Sequence, residues 1–141
     1  MGIKRDKYDV IFSDLVRIRA NWTCEMCSKE YPDPSTRGGL HCSHFYGRRH
    51  QATRYHPDNA FSLCFGCHRK VEEDPPLHKE WAQNQLGEGR YNLLAERKNS
   101  IKKWLKGEKD DMQKFYKEQF KKIKECRDNG ECGRIEFIGW E

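Results

Sequence analysis

The stretch "CFGCHRK", residues 64–70, places two thiols, an imidazole and two cations within seven positions. Its C-x-x-C pair has a counterpart in "CEMC", residues 24–27. Two such pairs supply the four sulfur ligands of a closed tetrahedral zinc site, whereas a redox C-x-x-C needs only one pair. The sequence therefore predicts one structural zinc, bound by Cys24, Cys27, Cys64 and Cys67.

His68 follows directly after Cys67 and is expected to serve a different site. Neighbouring side chains on a helix are rotated by about 100° from one another. If Cys67 faces the zinc, His68 points elsewhere. We therefore predict that this stretch binds two metals, or one metal and a substrate.

The composition bounds the size of the core and the class of partner. Of the 141 residues 35% are apolar and 35% charged, so we expect one domain over 1–141 with a small core that a metal helps to stabilise. Lysine and arginine outnumber aspartate and glutamate by 27 to 22, which favours a polyanionic partner. The sequence shows neither an apolar stretch of about 18 residues nor a signal peptide, so we expect a cytoplasmic protein with no membrane segment and reduced cysteines.

Hydrophobic periodicity predicts a helix followed by a small β-structure in the first half of the chain. Apolar residues recur at helical spacing in "YDVIFSDLVRI", which predicts a helix over about 6–20. The run "LHCSHFY" (40–46) predicts a strand. We expect its hairpin partner in "RRHQATRY" (48–55), with "HPDN" (56–59) as a turn.

The second half of the chain has mainly helical patterns. "AFSLCFGCHRKVEE" (60–73) predicts a helix that stops at Pro75 and Pro76. Helices over 76–86 and 91–105 are expected on either side of "GEG", another over 108–127, and a last strand in "RIEFIGW". The predicted fold class is α+β, with a core over 22–74, an N-terminal helix and a helical C-terminal extension over 75–141.

The order of residues from Asn59 to His68 resembles a known family. Asn59 is followed by "AFS" and then by Leu-Cys-x-x-Cys-His at 63–68, the pattern of the helical half of the HNH nucleases, or ββα-metal group. His44 in "CSHFYGRR" occupies the place of that family's first histidine. A wider likeness to the phage NinG-type recombination nucleases comes from "FSDLVRIRANWTCEMC" and "SHFYGRRHQATRYHPDN".

This resemblance implies a small zinc-stabilised, treble-clef-like ββα-metal core that cleaves DNA with a catalytic divalent cation such as Mg²⁺ or Mn²⁺. It implies that His44 is the general base, that His68 binds the cation, and that Asn59 braces the loop and orients His44. These residue types suit the chemistry, because phosphodiester hydrolysis needs a base for water and a cation for the charge on the phosphate. The family's products are 5′-phosphate and 3′-hydroxyl ends.

One position departs from the family pattern. Many relatives carry an aspartate or histidine directly before the base as a second metal ligand, and this chain has Ser43. A serine hydroxyl is a weak ligand for ions that prefer carboxylate, carbonyl and water oxygens. Either His68, phosphate and water hold the cation, or a nearby group replaces the ligand. The candidates for that group are His41, Cys42, His50 and Asp58.

The other cysteines and histidines have simpler interpretations. Cys42 is predicted to be a small core residue, although it is close enough to the site to approach a metal. Cys126 and Cys132 are predicted to be free thiols. His50 and His56 are expected at the surface or at a phosphate contact, and His78 is expected to be exposed on a polar helix.

Basic residues surround the proposed catalytic positions. They lie between His44 and Asn59 and directly after His68. Cations so close to a phosphodiester site are expected to contact the DNA backbone, which fixes register without reading sequence. The predicted DNA-binding residues are Arg48, Arg49, Arg54, Arg69 and Lys70.

The sequence thus predicts a metal-dependent HNH endonuclease that acts on DNA, with a monomer favoured. The NinG-like features favour a phage or prophage protein that processes or recombines DNA in the bacterial host cytoplasm. A non-catalytic treble-clef zinc module that binds nucleic acid or protein explains the cysteines and the charge equally well, but not the order of His44, Asn59 and His68. A zinc hydrolase of another class is disfavoured, because four cysteines leave no open position on the metal.

Overall fold

Four α-helices and two strands are the main regular elements of the part of the chain that the computed structural model describes, residues 3–31 and 39–140. The arrangement is a mixture of helices and a two-stranded antiparallel sheet, which confirms the predicted α+β class. In chain order, the elements are α1 (Lys7–Arg19), β1 (Leu40–His44), β2 (Ala60–Cys64), α2 (Phe65–Glu73), α3 (Pro75–Lys98) and α4 (Lys106–Asp128).

Helix α1 confirms the predicted N-terminal helix. A capping box begins it: the Asp6 carboxylate accepts the Asp9 N–H at 2.9 Å, and Asp9 accepts the Asp6 N–H at 2.8 Å. Its apolar face packs against α4, where Met112 and Tyr116 are fully buried. The buried side chains of α1 and α4 form one cluster together with Phe137, which we call the helical core.

The partner of β1 corrects the predicted hairpin. β1 pairs antiparallel with β2, with Leu40 opposite Cys64 and His44 opposite Ala60, and not with residues 48–55. The segment 60–64 was expected to be helical. All five of its residues are buried, so it lacks the alternation of polar and apolar residues that identifies a half-exposed strand.

Residues 47–56 form successive turns instead of a strand. The N–H groups of His50, Thr53 and His56 each donate to the carbonyl three residues earlier. Arg54, 4% exposed, ties this segment to α1, since it donates to both carboxylate oxygens of Asp9 at 2.7 and 3.3 Å. The turn hydrogen bonds pair backbone groups that a partner strand would otherwise bind, and the Arg54–Asp9 bonds fix the segment to α1.

Helix α2 begins directly after β2 and contributes to a second core. Cys64 is the N-cap of α2, and its sulfur accepts the Cys67 N–H at 3.5 Å. Val71 of α2 packs with Phe61, Leu63 and residues of α3 in a cluster that we call the hairpin core. In chain order, the two paired strands β1 and β2 are thus followed directly by α2.

The C-terminal part matches the predicted helices except at its ends. Helix α3 breaks at Gly87, which has φ 81°, within the predicted "GEG" separator, but it ends at Lys98 instead of residue 105. Pro75 begins α3 rather than only stopping α2. The predicted strand over 134–140 is irregular; it is anchored by the Ile135 N–H donating to the Arg19 carbonyl at 3.1 Å.

Candidate metal centre and active site

The four paired cysteines converge on one point. One sulfur from each lies within 4.8 Å of all the others, and the Cys27 and Cys64 sulfurs are 3.7 Å apart. A tetrahedral ion with metal–sulfur bonds of about 2.3 Å requires sulfurs about 3.8 Å apart. The donor set and its spacing therefore fit a zinc ion. We call Cys24, Cys27, Cys64 and Cys67 the cysteine cluster.

Local backbone bonds position the first two thiols of the cluster. The Cys24 N–H donates to the Lys29 carbonyl at 2.8 Å, and Ser28 closes the turn with φ 67°. Burial raises the pKa of the Cys24 thiol. The N–H groups of Cys27, Cys64 and Met26 together lower it by more than burial raises it, so the resulting pKa is about 7. A lowered thiol pKa favours the thiolate that metals bind.

A cavity of about 240 Å³ brings the two predicted histidines together. It is lined by Cys42, His44, Gly47, Arg48, His68 and Glu72. His44 comes from the end of β1 and His68 from the first turns of α2, so the pairing of β1 with β2 brings them to one place. We call this space the histidine cavity.

The ring of His44 is held in one tautomer. Its Nε2 lies 3.2 Å from the Arg54 carbonyl oxygen, which can only accept a hydrogen bond. Nε2 therefore carries the proton, and Nδ1 keeps the lone pair that a base needs. Burial, followed by the charge of Arg48, lowers the pKa of His44 to about 4, so the ring is neutral at pH 7.

Asn59 braces the loop that follows β1. Its side chain, fully buried, accepts the Tyr46 N–H at 2.8 Å and donates to the Tyr46 carbonyl at 2.9 Å. The Asn59 carbonyl also accepts the Phe45 N–H at 2.8 Å. These three bonds fix the backbone directly after His44.

His68 lies between two polar partners. Its Nε2 is 2.9 Å from a carboxylate oxygen of Glu72, one turn later on α2, and its Nδ1 is 2.9 Å from Nδ1 of His41. An octahedral cation with bonds of about 2.1 Å has adjacent ligands about 3.0 Å apart, which fits the His68–Glu72 spacing. The sequence interpretation did not include Glu72. The signal was present, since residues four apart on a helix share a face.

The four candidates for a second ligand occupy different places. His41 contacts His68, and Cys42 lines the histidine cavity. Asp58 instead pairs with Arg90 of α3, at a separate cavity. His50 packs beside Tyr46 and does not line the histidine cavity. Ser43 is fully buried and does not line the histidine cavity.

Two other histidines differ in part from expectation. His78, expected to be exposed, is half-buried against the Phe45 ring at 4.9 Å, with Nε2 buried and no hydrogen-bond partner among the described residues. The helix is polar, but its first turn packs on the loop after β1. His56 accepts the Asp58 N–H at 3.1 Å on Nδ1 and caps a 3₁₀ turn over Pro57–Asn59.

The predicted DNA-binding residues lie in three different environments. Arg54 is a correction: its guanidinium is buried and bound to Asp6 and Asp9, so it is not available to a phosphate. Arg48 lines the histidine cavity. The other three are exposed residues: Arg49, Lys70 and Arg69, which also pairs with Glu73.

Comparisons of this chain with protein-family models, curated proteins and solved structures gave no match. The described helices include none with the length and apolar character needed to cross a lipid bilayer.

Proposed function

We propose that this chain is a metal-dependent endonuclease of the HNH type that hydrolyses DNA phosphodiester bonds. The observation that carries the proposal is the histidine cavity, where a tautomer-fixed imidazole faces an imidazole–carboxylate pair. A base and a cation site in one small cavity are the two groups that phosphodiester hydrolysis requires. The DNA-processing role and the phage or prophage origin follow from the resemblance alone.

His44 is the proposed base. Its Nδ1 takes a proton from a water whose oxygen attacks phosphorus, while the bond from phosphorus to the 3′-oxygen breaks. The leaving oxygen is protonated by solvent, which gives 3′-hydroxyl and 5′-phosphate ends. A pKa of about 4 makes a weak base. A bound phosphate offsets the Arg48 charge and raises that pKa.

His68 and Glu72 are the proposed ligands of the catalytic cation. A neutral imidazole and a carboxylate suit Mn²⁺, and a carboxylate with water and phosphate oxygens suits Mg²⁺. When bound, the cation stabilises negative charge on the phosphate. For Nε2 of His68 to be a ligand, Nδ1 must carry the proton, and Nδ1 of His41 is placed to accept it.

The cysteine cluster is proposed to hold a structural zinc in a treble-clef-like unit. Four sulfur ligands saturate a tetrahedral ion and leave no position for substrate. Because Cys64 and Cys67 flank the start of α2, this zinc fixes the helix that carries His68 and Glu72. The zinc therefore supports the histidine cavity without taking part in hydrolysis.

A non-catalytic zinc module that binds nucleic acid or protein is the second candidate. Two observations favour it: Ser43 is buried where the family has a ligand, and the pKa of His44 is far below neutrality. Incubating supercoiled plasmid with Mg²⁺, Mn²⁺ or chelator separates the candidates. Nicking or linearisation that needs the added cation is expected. Folded, zinc-loaded protein that cuts no DNA with any of these ions would favour the binding module.

A further inference from the structure

A second cavity, of about 300 Å³, adjoins the histidine cavity. The two share Cys42, Arg48 and His68. The second cavity reaches α1 and the residues before it, outside the Asn59–His68 pattern. We call it the arginine cavity; it is lined by Arg5, Ser13, Arg17, Leu40, His41, Cys42, Arg48 and His68.

The lining of the arginine cavity is strongly cationic. Three of its residues are arginines and none is acidic. Such a cavity concentrates positive potential, because its walls exclude water and each guanidinium charge is permanent. Asp14 pairs with Arg17 and Asp9 with Arg48, which offsets part of the charge of these two arginines.

Two of these guanidinium groups have unused donors. Arg17 is 4% exposed; its Nη2 donates to Asp14 at 2.8 Å, but its buried Nε has no hydrogen-bond partner among the described residues. Nε of Arg48 is also buried and without a hydrogen bond there, at 3.6 Å from Asp9. A guanidinium has five N–H donors, so an arginine held by one acidic partner keeps further donors from which a phosphate in the cavity can accept.

We propose that the arginine cavity binds the phosphate next to the one that is cleaved. This inference rests on the proposed function, because only hydrolysis at the histidine cavity makes the adjoining site a neighbour on the same strand. Guanidinium groups match the oxygen geometry of a phosphate, and bonds to a charged acceptor are about twice as strong as neutral ones. The two cavities share His68 and Arg48, so one strand can occupy both.

The test is a scan of methylphosphonates through a short DNA duplex. Each substitution removes the charge of one phosphate with little change of shape. Binding is measured by fluorescence anisotropy with zinc-loaded protein and no added Mg²⁺ or Mn²⁺, so that no cleavage is needed. We expect one position at which neutralisation weakens binding by wild type by roughly 10-fold, as for loss of a charge-assisted hydrogen bond.

The variants Arg5→Ala and Arg17→Lys identify the protein side of that contact. At the sensitive position, each should reduce the effect of the methylphosphonate to about 2-fold or less, since the contact is already lost. Lys7→Ala is the matched control, because it removes one cation beside Arg5 from a residue that does not line the cavity. It should keep the full 10-fold effect. Zinc content and circular dichroism verify folding, and the exposed Arg5 keeps the test valid if Arg17→Lys misfolds.

The outcomes separate this site from the proposed activity. A smaller methylphosphonate effect at one position in Arg5→Ala than in wild type supports the arginine cavity as a phosphate site. This holds even if unmodified duplex is not cut with Mn²⁺; in that case only the proposed hydrolytic function fails. Cleavage without any sensitive position, or with equal effects in wild type and Arg5→Ala, overturns the arginine site alone. Absence of DNA binding overturns both.

Discussion

The cysteine cluster and the histidine cavity both take residues from the start of α2, where Cys67 and His68 are neighbours. The two sites nevertheless differ in their ligands and in their accessibility. The cluster has four thiols whose sulfurs lie within 4.8 Å of one another. The cavity has mixed donors around about 240 Å³ of open space. A zinc site with four protein ligands contributes to stability, whereas an open cavity can bind a substrate. Changes in the cysteine cluster should therefore reduce stability, and changes in the histidine cavity should reduce activity.

The largest effect is expected at the cysteine cluster. Cys64→Ser should abolish zinc binding and unfold the hairpin core, because structural zinc contributes about 10–16 kcal/mol in small domains. Metal analysis and circular dichroism measure both losses. Cys132→Ser, at an exposed thiol outside the cluster, should retain one zinc and the wild-type spectrum. Folded Cys64→Ser with a full equivalent of zinc would contradict the structural role.

The next largest effect is expected for the proposed base in the histidine cavity. His44→Ala should lower the rate of plasmid cleavage by about 10²–10⁴-fold, the usual contribution of a general base. Zinc content should stay near wild type, and circular dichroism verifies folding, because the His44 ring packs beside Phe12 of the helical core. His50→Ala, outside the cavity lining, is the control and should retain most activity. Equal rates for folded His44→Ala and wild type would remove His44 from the mechanism.

The next prediction concerns Arg54, which links residues 47–56 to α1. Arg54→Ala leaves the fully buried Asp9 carboxylate without its closest partner, so the free energy of unfolding should fall by about 3–5 kcal/mol. Urea denaturation followed by circular dichroism measures this change. Arg49→Ala, at an exposed neighbour in the same segment, should change stability by less than about 0.5 kcal/mol. Similar values for both variants would show that the Arg54–Asp9 pair is not stabilising.

A smaller effect is expected for the proposed cation ligand Glu72. Glu72→Gln should raise the Mn²⁺ concentration for half-maximal cleavage by about 10–100-fold, with activity recovered at high metal. His44→Ala should show no such recovery, which separates ligand from base. Glu73→Gln is the control, because Glu73 pairs with Arg69 on the exposed side of α2. An unchanged metal requirement in Glu72→Gln would leave His68 without its proposed co-ligand.

The smallest effect concerns the exposed cations. Each phosphate contact contributes about −0.9 to the slope of log affinity against log salt on duplex DNA. Arg49→Ala should therefore flatten that slope by up to about one, whereas Arg54→Ala should leave it unchanged because its guanidinium is buried. Anisotropy titrations at several salt concentrations measure both slopes. A flatter slope only for Arg54→Ala would reverse this assignment.

Much of the fold was predictable, and the errors have physical causes. The helices α1 and α4 have clear amphipathic periods, and the break near Gly87 follows from the glycines. The strand β2 was misassigned because full burial removes its alternation. Arg54 was misassigned because an arginine beside a proposed site resembles a phosphate ligand until its partner, 45 residues away, is known.

The sequence by itself determined the cysteine cluster and the order of His44, Asn59 and His68, because zinc knuckles and the start of α2 depend on spacing within a few residues. Only the tertiary structure decided which distant groups share a cavity: His41 beside His68, and Arg5 and Arg17 beside Arg48. These groupings depend on the pairing of β1 with β2 and on the docking of α1. Contacts between distant segments are set by packing, for which local spacing carries no signal.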